Sequence, residues 1–395
     1  MLVNMIGYVD RQILSLLIGP VKLSLSLSDS QIGLLQGFAF VILFALLGVP
    51  LGLLADRFGR KPVLACGLAL WCMATASCGL TSGFWSLFLC RLVADYFPGE
   101  RRALATSIYQ SAGSMGVGLA FTLGGQIVDQ VAKLPTMLTL GLIGTEAWRI
   151  AFAMVGAAGL MALPLVLAIR STDRAGNTPE LRNFLRKTRS IVVPHFGALA
   201  AYAAIAYSVL AWAPAFFMRH FAWTPAHAGF DFGLTFAVCS VVGVLVGGWW
   251  STQLRSRGMQ DANYYVMQVA LAAVVLPAML APLMPTAAFS LALYGIVAFF
   301  LSVPTGCSAA ALQDLAPPPL RAQFIAVYYA VVSIGGAGLG PLVVGLLNDF
   351  AFRSDAKVGW SLSTTGAAFG LICLVLMLIA RRAFRRYLSL PGVIA

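Results

Sequence analysis

Apolar residues recur along the chain in runs of about 20, and polar breaks separate the runs from end to end. A helix needs about 20 apolar residues to cross the hydrocarbon core of a bilayer. The runs do not alternate apolar and polar residues, as the strands of a membrane barrel do. The pattern predicts an all-α membrane protein with spans at 3–22, 32–55, 62–81, 103–128, 147–170, 192–217, 228–250, 263–283, 286–312, 322–347 and 361–380, and a short twelfth span near 84–97.

Composition supports this fold class. The chain is 60% hydrophobic and 10% charged, with a mean hydropathy of +0.88, which excludes an ordinary soluble domain. Lys and Arg in short loops mark the cytoplasmic side, and the loop cations divide 18 to 5 between the two sides. We expect a multi-pass plasma membrane protein, in a bacterial inner membrane, with both termini in the cytoplasm. Loop asymmetry and attraction to lipid headgroups explain the net charge of +12, so nucleic acid is not an expected partner.

An internal repeat predicts two related halves. One set of positions recurs 196 residues later and a second set recurs 219 residues later: Gly33, Gly37, Phe40 and Gly52 match Gly229, Gly233, Phe236 and Gly248, and Asp95, Pro98, Arg102, Ala103, Tyr109 and Gly116 match Asp314, Pro317, Arg321, Ala322, Tyr328 and Gly335. Parallel halves with a substrate site between them are typical of one large class of transporters. We expect a six-helix half at 1–170, a cytoplasmic linker at 171–190 and a second six-helix half at 191–395.

The two offsets differ by 23 residues, about the length of one membrane helix. We infer that helix 4 is incomplete, either through a deletion or because the sequence omits a stretch between about Arg91 and Asp95. A deletion would reverse the topology of every later helix and move the positive loops outside. The omission is therefore favoured.

Asp10 and Arg11 lie side by side in the first apolar run. Ionisable residues at membrane depth are costly and mark substrate or proton paths; the alternative is a pair at a helix end among the headgroups. The apolar and aromatic helix 7 offers Tyr202 as a contact, because a phenol has both an apolar face and a donor. The cysteines show no metal-ligand spacing and no phosphate-binding loop is present, so we expect no cofactor, no metal and no enzymatic activity.

The segment Gly52-Leu53-Leu54-Ala55-Asp56-Arg57-Phe58-Gly59-Arg60-Lys61 resembles the loop 2–3 signature of the major facilitator superfamily. The resemblance implies the fold of that family, with two six-helix halves and 12 membrane helices, and a role for this loop in a cytoplasmic gate. In that gate Asp56 would pair with the loop arginines and with Asp95. The gate residues are expected to be Asp56, Arg57, Arg60, Asp95 and Arg101; the alternative is a loop that only anchors topology.

A narrower resemblance appears in Tyr8-Val9-Asp10-Arg11-Gln12, in Leu27-Ser28-Asp29-Ser30-Gln31-Ile32-Gly33, and in Asp95-Tyr96-Phe97-Pro98-Gly99-Glu100-Arg101-Arg102-Ala103. Together these segments resemble the spinster-like branch, whose members carry sphingolipids and lysophospholipids. In that branch helix 4 begins with an arginine, matched here by Arg91, and continues to a glutamate. No residue of this sequence can be assigned to that glutamate, which is either deleted or part of the omitted stretch.

The resemblance implies a secondary active transporter of an anionic or zwitterionic lysolipid or sphingoid phosphate, working by alternating access and coupled to protons. Asp10, Arg11, Arg91 and Tyr202 are the expected substrate and proton residues: the arginines would hold an anionic headgroup that competes with Asp10. The expected partners are a small amphiphilic substrate, protons and membrane lipids, and the expected state is a monomer driven by a proton gradient. Two alternatives stay open, a proton-coupled carrier of small organic anions or drugs, and a membrane sensor or scaffold of carrier fold that does not transport.

Overall fold

The computed structural model describes residues 2–39, 60–94, 103–132, 146–160, 180–317 and 320–389, and these are helical apart from short connections. We number the principal helices α1 Leu2–Leu25, α2 Asp29–Gln36, α3 Arg60–Cys78, α4 Phe84–Ala94, α5 Ala103–Ala132, α6 Ala147–Leu160, α7 Arg189–Phe221, α8 Pro225–Ser256, α9 Ala262–Leu283, α10 Ala287–Leu315, α11 Gln323–Phe352 and α12 Asp355–Leu388. A short linker helix, Glu180–Lys187, precedes α7.

Six helices of the described residues, α7 to α12, are long and apolar enough to cross a membrane. Their positions agree with the predicted second-half spans to within several residues. Local signals set several boundaries: Ser28 and Gln31 form a capping box before α2, and Thr224 caps α8 ahead of Pro225. Such side chains satisfy N–H groups that a helix start leaves without partners.

Two ends of the bundle can be distinguished by their contacts. At the Asp29 end, where α1 ends and α2 begins, Arg219 near the end of α7 and Asn348 of α11 both reach Asp29. Ser24 contacts Glu146, just before α6, at the same end. At the opposite end, called the linker end, lie the start of α7, the α8–α9 turn and the C-terminal part of α12.

Glycines bring the two halves together at two equivalent places. A Cβ added to Gly33 of α2 would lie 2.6 Å from the Pro341 carbonyl oxygen of α11. A Cβ added to Gly229 of α8 would lie 2.3 Å from the Phe121 carbonyl oxygen of α5. Small residues allow such close backbone approach between membrane helices. Gly33 and Gly229 are counterparts in the sequence repeat, so the repeat places its glycines at matching contacts between the halves.

The direction of α5 bears on the short fourth helix. Gly125, near the end of α5, packs against Pro225 at the start of α8, which lies at the Asp29 end. Since α4 begins at that end, near Gly79 and Arg149, the chain returns to the linker end between Phe84 and Ala103. The later helices are therefore not reversed. The shortfall was predicted between about Arg91 and Asp95, where α4 ends at Ala94 and residues 95–102 lie outside the described part.

Candidate substrate site and a latch between the halves

A buried ion pair occupies the interior of the first half. Asp10 of α1 and Arg91 of α4 are 0% and 1% exposed. Arg91 Nη1 lies 3.2 Å from Asp10 Oδ1 and donates a 3.0 Å hydrogen bond to the Asp10 carbonyl oxygen. Trp71 of α3 donates from Nε1 to Asp10 Oδ2 at 3.0 Å. Three helices thus converge on one carboxylate.

The chemistry of this pair depends on its burial. A buried charge is tolerated when a partner of opposite charge and further hydrogen bonds compensate for the lost water. Arg91 supplies the opposite charge, and its guanidinium also lies 5.8 Å from the ring centre of Phe152 on α6. A proton bound to Asp10, or an anion bound to Arg91, would each break this balance, so the pair can respond to both.

Arg11 points away from this pair. Successive residues of a helix project about 100° apart, and Arg11 lies 5.9 Å from the ring centre of Tyr207 on α7. It is partly exposed, whereas Asp10 is fully buried. The structure therefore brings Asp10 and Arg91 together inside the first half and directs Arg11 across the boundary toward the second half.

Five aromatic residues of α7, Tyr202, Tyr207, Trp212, Phe216 and Phe217, divide into two groups by burial. Trp212, Phe216 and Phe217 are buried in the core, and Trp212 donates to the Pro341 carbonyl oxygen at 3.0 Å. Tyr202 and Tyr207 keep partial exposure. The three buried residues pack in the core. Of these five side chains, those of Tyr202 and Tyr207 retain accessible surface.

The predicted cytoplasmic gate falls largely outside the described residues. Asp56, Arg57, Asp95 and Arg101 are not described, and Arg60 begins α3 without a described side chain. The second half offers a described counterpart: Asp314, which matches Asp95 in the repeat, forms an ion pair with Arg255 at the α8–α9 turn. Asn263 also donates to Asp314, at 3.2 Å.

A third cluster joins the halves at the Asp29 end. Asp29 is 0% exposed and receives two hydrogen bonds from Arg219 of α7, at 2.8 and 2.9 Å. Asn348 of α11 donates at 2.6 Å, and Lys22 of α1 donates at 2.9 Å. We call Asp29, Arg219, Asn348 and Lys22 the latch, because they connect α1 and α2 of the first half to α7 and α11 of the second.

The latch keeps its carboxylate charged. Burial alone would raise the pKa of Asp29, but the hydrogen bonds and charge of Arg219, with Asn348 and Lys22, outweigh it and lower that pKa to about 2. The α2 start is bound from the second half as well, since Asp349 accepts from the backbone N–H groups of Asp29 and Ser30. An acid beside a helix N-terminus is favourably placed.

The sequence did not single out the latch. Asp29 stands within one of the segments that resemble the spinster-like branch, and Arg219 is one of the five loop cations assigned to the external side. Their separation of 190 positions carries no local periodicity that could have paired them. The one sequence signal for this pairing is that Asp29 and Arg219 each lie at a predicted helix end on the same side of the membrane.

Among the described residues, no three His, Cys, Asp or Glu side chains are grouped so that they could hold a metal ion.

Comparisons with known proteins agree with this architecture. The Major Facilitator Superfamily model matches residues 1–94 and 89–341, two segments that meet in α4. A protein described as an MFS-type efflux pump, from Mycolicibacterium smegmatis (strain ATCC 700084 / mc(2)155), is 29% identical over 98% of this chain and 92% of its own length. Protein spinster homolog 3 of Danio rerio is 26% identical over 65% of this chain. The chain spans about half of that relative, 56% of its length.

A solved structure shows the same fold. It is described as a bacterial homolog to the human lysosomal transporter Spinster, in an inward-facing and unoccupied conformation. The two share a TM-score of 0.80 at 22% identity, over 98% of this chain and 96% of that one. The contacts between halves, the family match and these relatives lead to one conclusion: the chain belongs to the Major Facilitator Superfamily, and within it resembles the spinster-like transporters.

Proposed function

We propose that the protein is a secondary active transporter that moves an anionic or zwitterionic lysophospholipid or sphingoid phosphate by alternating access, coupled to protons. The observation that carries the proposal is the buried Asp10–Arg91 pair, within 3.2 Å in the first half. Ionisable residues at membrane depth are energetically costly, and those that occur there usually mark a substrate or proton path. The pair gives a proton and an anion a shared point of action.

The exchange would proceed through competition for Arg91. When Asp10 is ionised, it holds the Arg91 guanidinium by a charge-assisted hydrogen bond. When Asp10 takes a proton, Arg91 is released to bind a phosphate oxygen of the headgroup. Arg11, which faces Tyr207 across the boundary, would hold the same headgroup from the accessible side.

The apolar second half suits the tail of such a substrate. Tyr202 and Tyr207 offer aromatic faces on α7, and their partial exposure is compatible with contact. A lipid with one charged head and one chain matches a cationic first half opposite an aromatic second half. No cofactor is required; the proton gradient supplies the energy to a monomer.

The latch supports one state of the cycle. With the positive loops in the cytoplasm, as the charge pattern predicts, the linker end would lie inside and the Asp29 end outside. A closed latch would then seal the external side while the substrate exchanges with the cytoplasm. Opening the latch would be the step that exposes Arg11 to the outside.

The second candidate, a carrier of drugs or small organic anions, is favoured by the relative described as an efflux pump. Flux into proteoliposomes tests the two. We expect a labelled lysophospholipid to move in response to a pH gradient. Movement should stop in Arg91→Met but not in Asp231→Asn, whose partly exposed carboxylate pairs with His227 and lies away from the Asp10–Arg91 pair. Movement of a hydrophobic cationic dye with no lysolipid movement would contradict the lipid proposal and support the efflux candidate.

A further inference from the structure

A small cavity lies within the second half, apart from the boundary between halves. It is enclosed by α7, α9, α10 and α12, and its volume is about 10 Å³. The lining residues are Ile205, Ser208, Val209, Ala278, Tyr294, Leu362 and Gly366. All but two of these side chains are apolar.

The two polar members are both buried and both lack partners. Ser208 is 2% exposed and Tyr294 is 2% exposed. Within the described part of the chain, neither the Ser208 Oγ nor the Tyr294 hydroxyl has a hydrogen-bond partner. Buried polar groups in native proteins are nearly always paired with protein or with ordered water. Two such hydroxyls on one cavity therefore call for a common ligand.

We propose that Ser208 and Tyr294 bind a single internal water molecule that bridges α7 to α10. A cavity of about 10 Å³ has room for about one water. Serine and tyrosine hydroxyls each donate and accept, so they can supply the two or more polar partners that an internal water needs. The lining has no charged side chain that could hold an ion, and its aliphatic side chains form no hydrogen bonds with the water.

The site would bear on transport through α7. That helix carries Tyr207, which faces Arg11, and Arg219, which closes the latch. Tyr294 also packs in the aromatic cluster of Phe216, Phe217 and Phe232. A water bridge between α7 and α10 would hold α7 in register with this cluster, between its two functional contacts.

The sign of a thermal shift tests the proposal. If water bridges the hydroxyls, Ser208→Ala and Tyr294→Phe each remove a hydrogen bond and lower the unfolding midpoint, by about 1–4 °C. The double variant would then lose less than the sum, because both changes break one bridge. If no water is bound, each change removes an unpaired buried hydroxyl, and the midpoint rises or stays.

Matched controls come from the same chain. Ser240 and Tyr264 are also buried with hydroxyls that lack partners among the described residues, but neither lines the cavity. Because Ser240 and Tyr264 do not share this cavity, we expect the midpoint changes of Ser240→Ala and Tyr264→Phe to add in their double variant. Falls for Ser208→Ala and Tyr294→Phe that are less than additive in the double variant, beside additive changes in the controls, would support the bridge. A rise at both cavity positions, or additive falls, would overturn it.

Discussion

Asp29 of the first half and Arg219 of the second half share a two-pronged ion pair, with Nη1 and Nη2 of Arg219 at 2.8 and 2.9 Å from the two carboxylate oxygens. The planar guanidinium matches a carboxylate in this geometry, which adds direction to the charge attraction. Asn348 and Lys22 fill the remaining acceptor positions. A contact this well satisfied, between parts of the chain 190 residues apart, defines the closed Asp29 end.

Removing the charge of Asp29 should open that end. Breaking one partner of a buried pair costs about 3–5 kcal/mol, and Asp29→Asn would leave Arg219 opposite an amide. We expect a cysteine placed at Tyr207 to react faster with a membrane-impermeant thiol reagent added outside. In the matched variant Asp231→Asn, the rate should not change. Equal rates in the two variants would show that the latch does not hold the halves together.

The latch should be insensitive to pH in the working range. The pKa of Asp29 is lowered to about 2 from 3.8, so its stabilising effect is complete above about 3.8 and is lost only as pH falls through about 2. We expect the distance between spin labels across the Asp29 end, measured in Asp10→Asn so that the coupling acid does not titrate, to stay constant from pH 8 to pH 5. A widening between pH 7 and pH 5 would contradict this assignment of the charge.

The Asp10–Arg91 pair should show strong coupling. Arg91→Met leaves a buried carboxylate with the Trp71 hydrogen bond but without its cation, and Asp10→Asn leaves a buried cation. We expect each single variant to lower the unfolding midpoint, and the double variant to recover part of the loss. Thermal unfolding in detergent measures all four members of the cycle. Additive losses would mean that the pair is not an energetic unit.

The glycine contacts between halves should tolerate no side chain. In Gly229→Ala the new Cβ would lie 2.3 Å from the Phe121 carbonyl oxygen, so α5 and α8 must separate. Such overpacking typically costs about 1–3 kcal/mol, and we expect slower transport with a lower unfolding midpoint. Gly248→Ala is the control, because a Cβ there meets nothing within 4 Å. Comparable losses in both variants would rule out a specific role for the interface.

The helical class could be predicted because runs of apolar residues are a local pattern. The repeat could be predicted because the two halves of the sequence can be compared with each other. Gly33 and Gly229 came from self-comparison alone, and they occupy matching contacts between α2 and α11 and between α8 and α5. The sequence grouped Asp10, Arg11 and Arg91 as one cluster, but the structure pairs Asp10 with Arg91. Neighbours on a helix diverge by about 100°, and Arg11 faces Tyr207 while Asp10 faces Arg91.

The latch and the Ser208–Tyr294 cavity could not be predicted in this way. Each depends on side chains that meet only after α7 has packed, against α2 and α11 in one case and against α9, α10 and α12 in the other. A single sequence carries no pattern that links such distant positions. The predicted gate of Asp56, Arg57, Arg60, Asp95 and Arg101 remains a prediction, as do the half boundaries and the monomeric state.

The measurement that tests the central claim most directly is proton movement driven by substrate. Proteoliposomes holding a trapped pH indicator would receive a lysophospholipid with no imposed gradient, for the unaltered protein and for Asp10→Asn. We predict that lysolipid entry moves protons in the unaltered protein, and that Asp10→Asn abolishes the proton signal. Proton movement of equal size in Asp10→Asn would contradict the assignment of coupling to the Asp10–Arg91 pair.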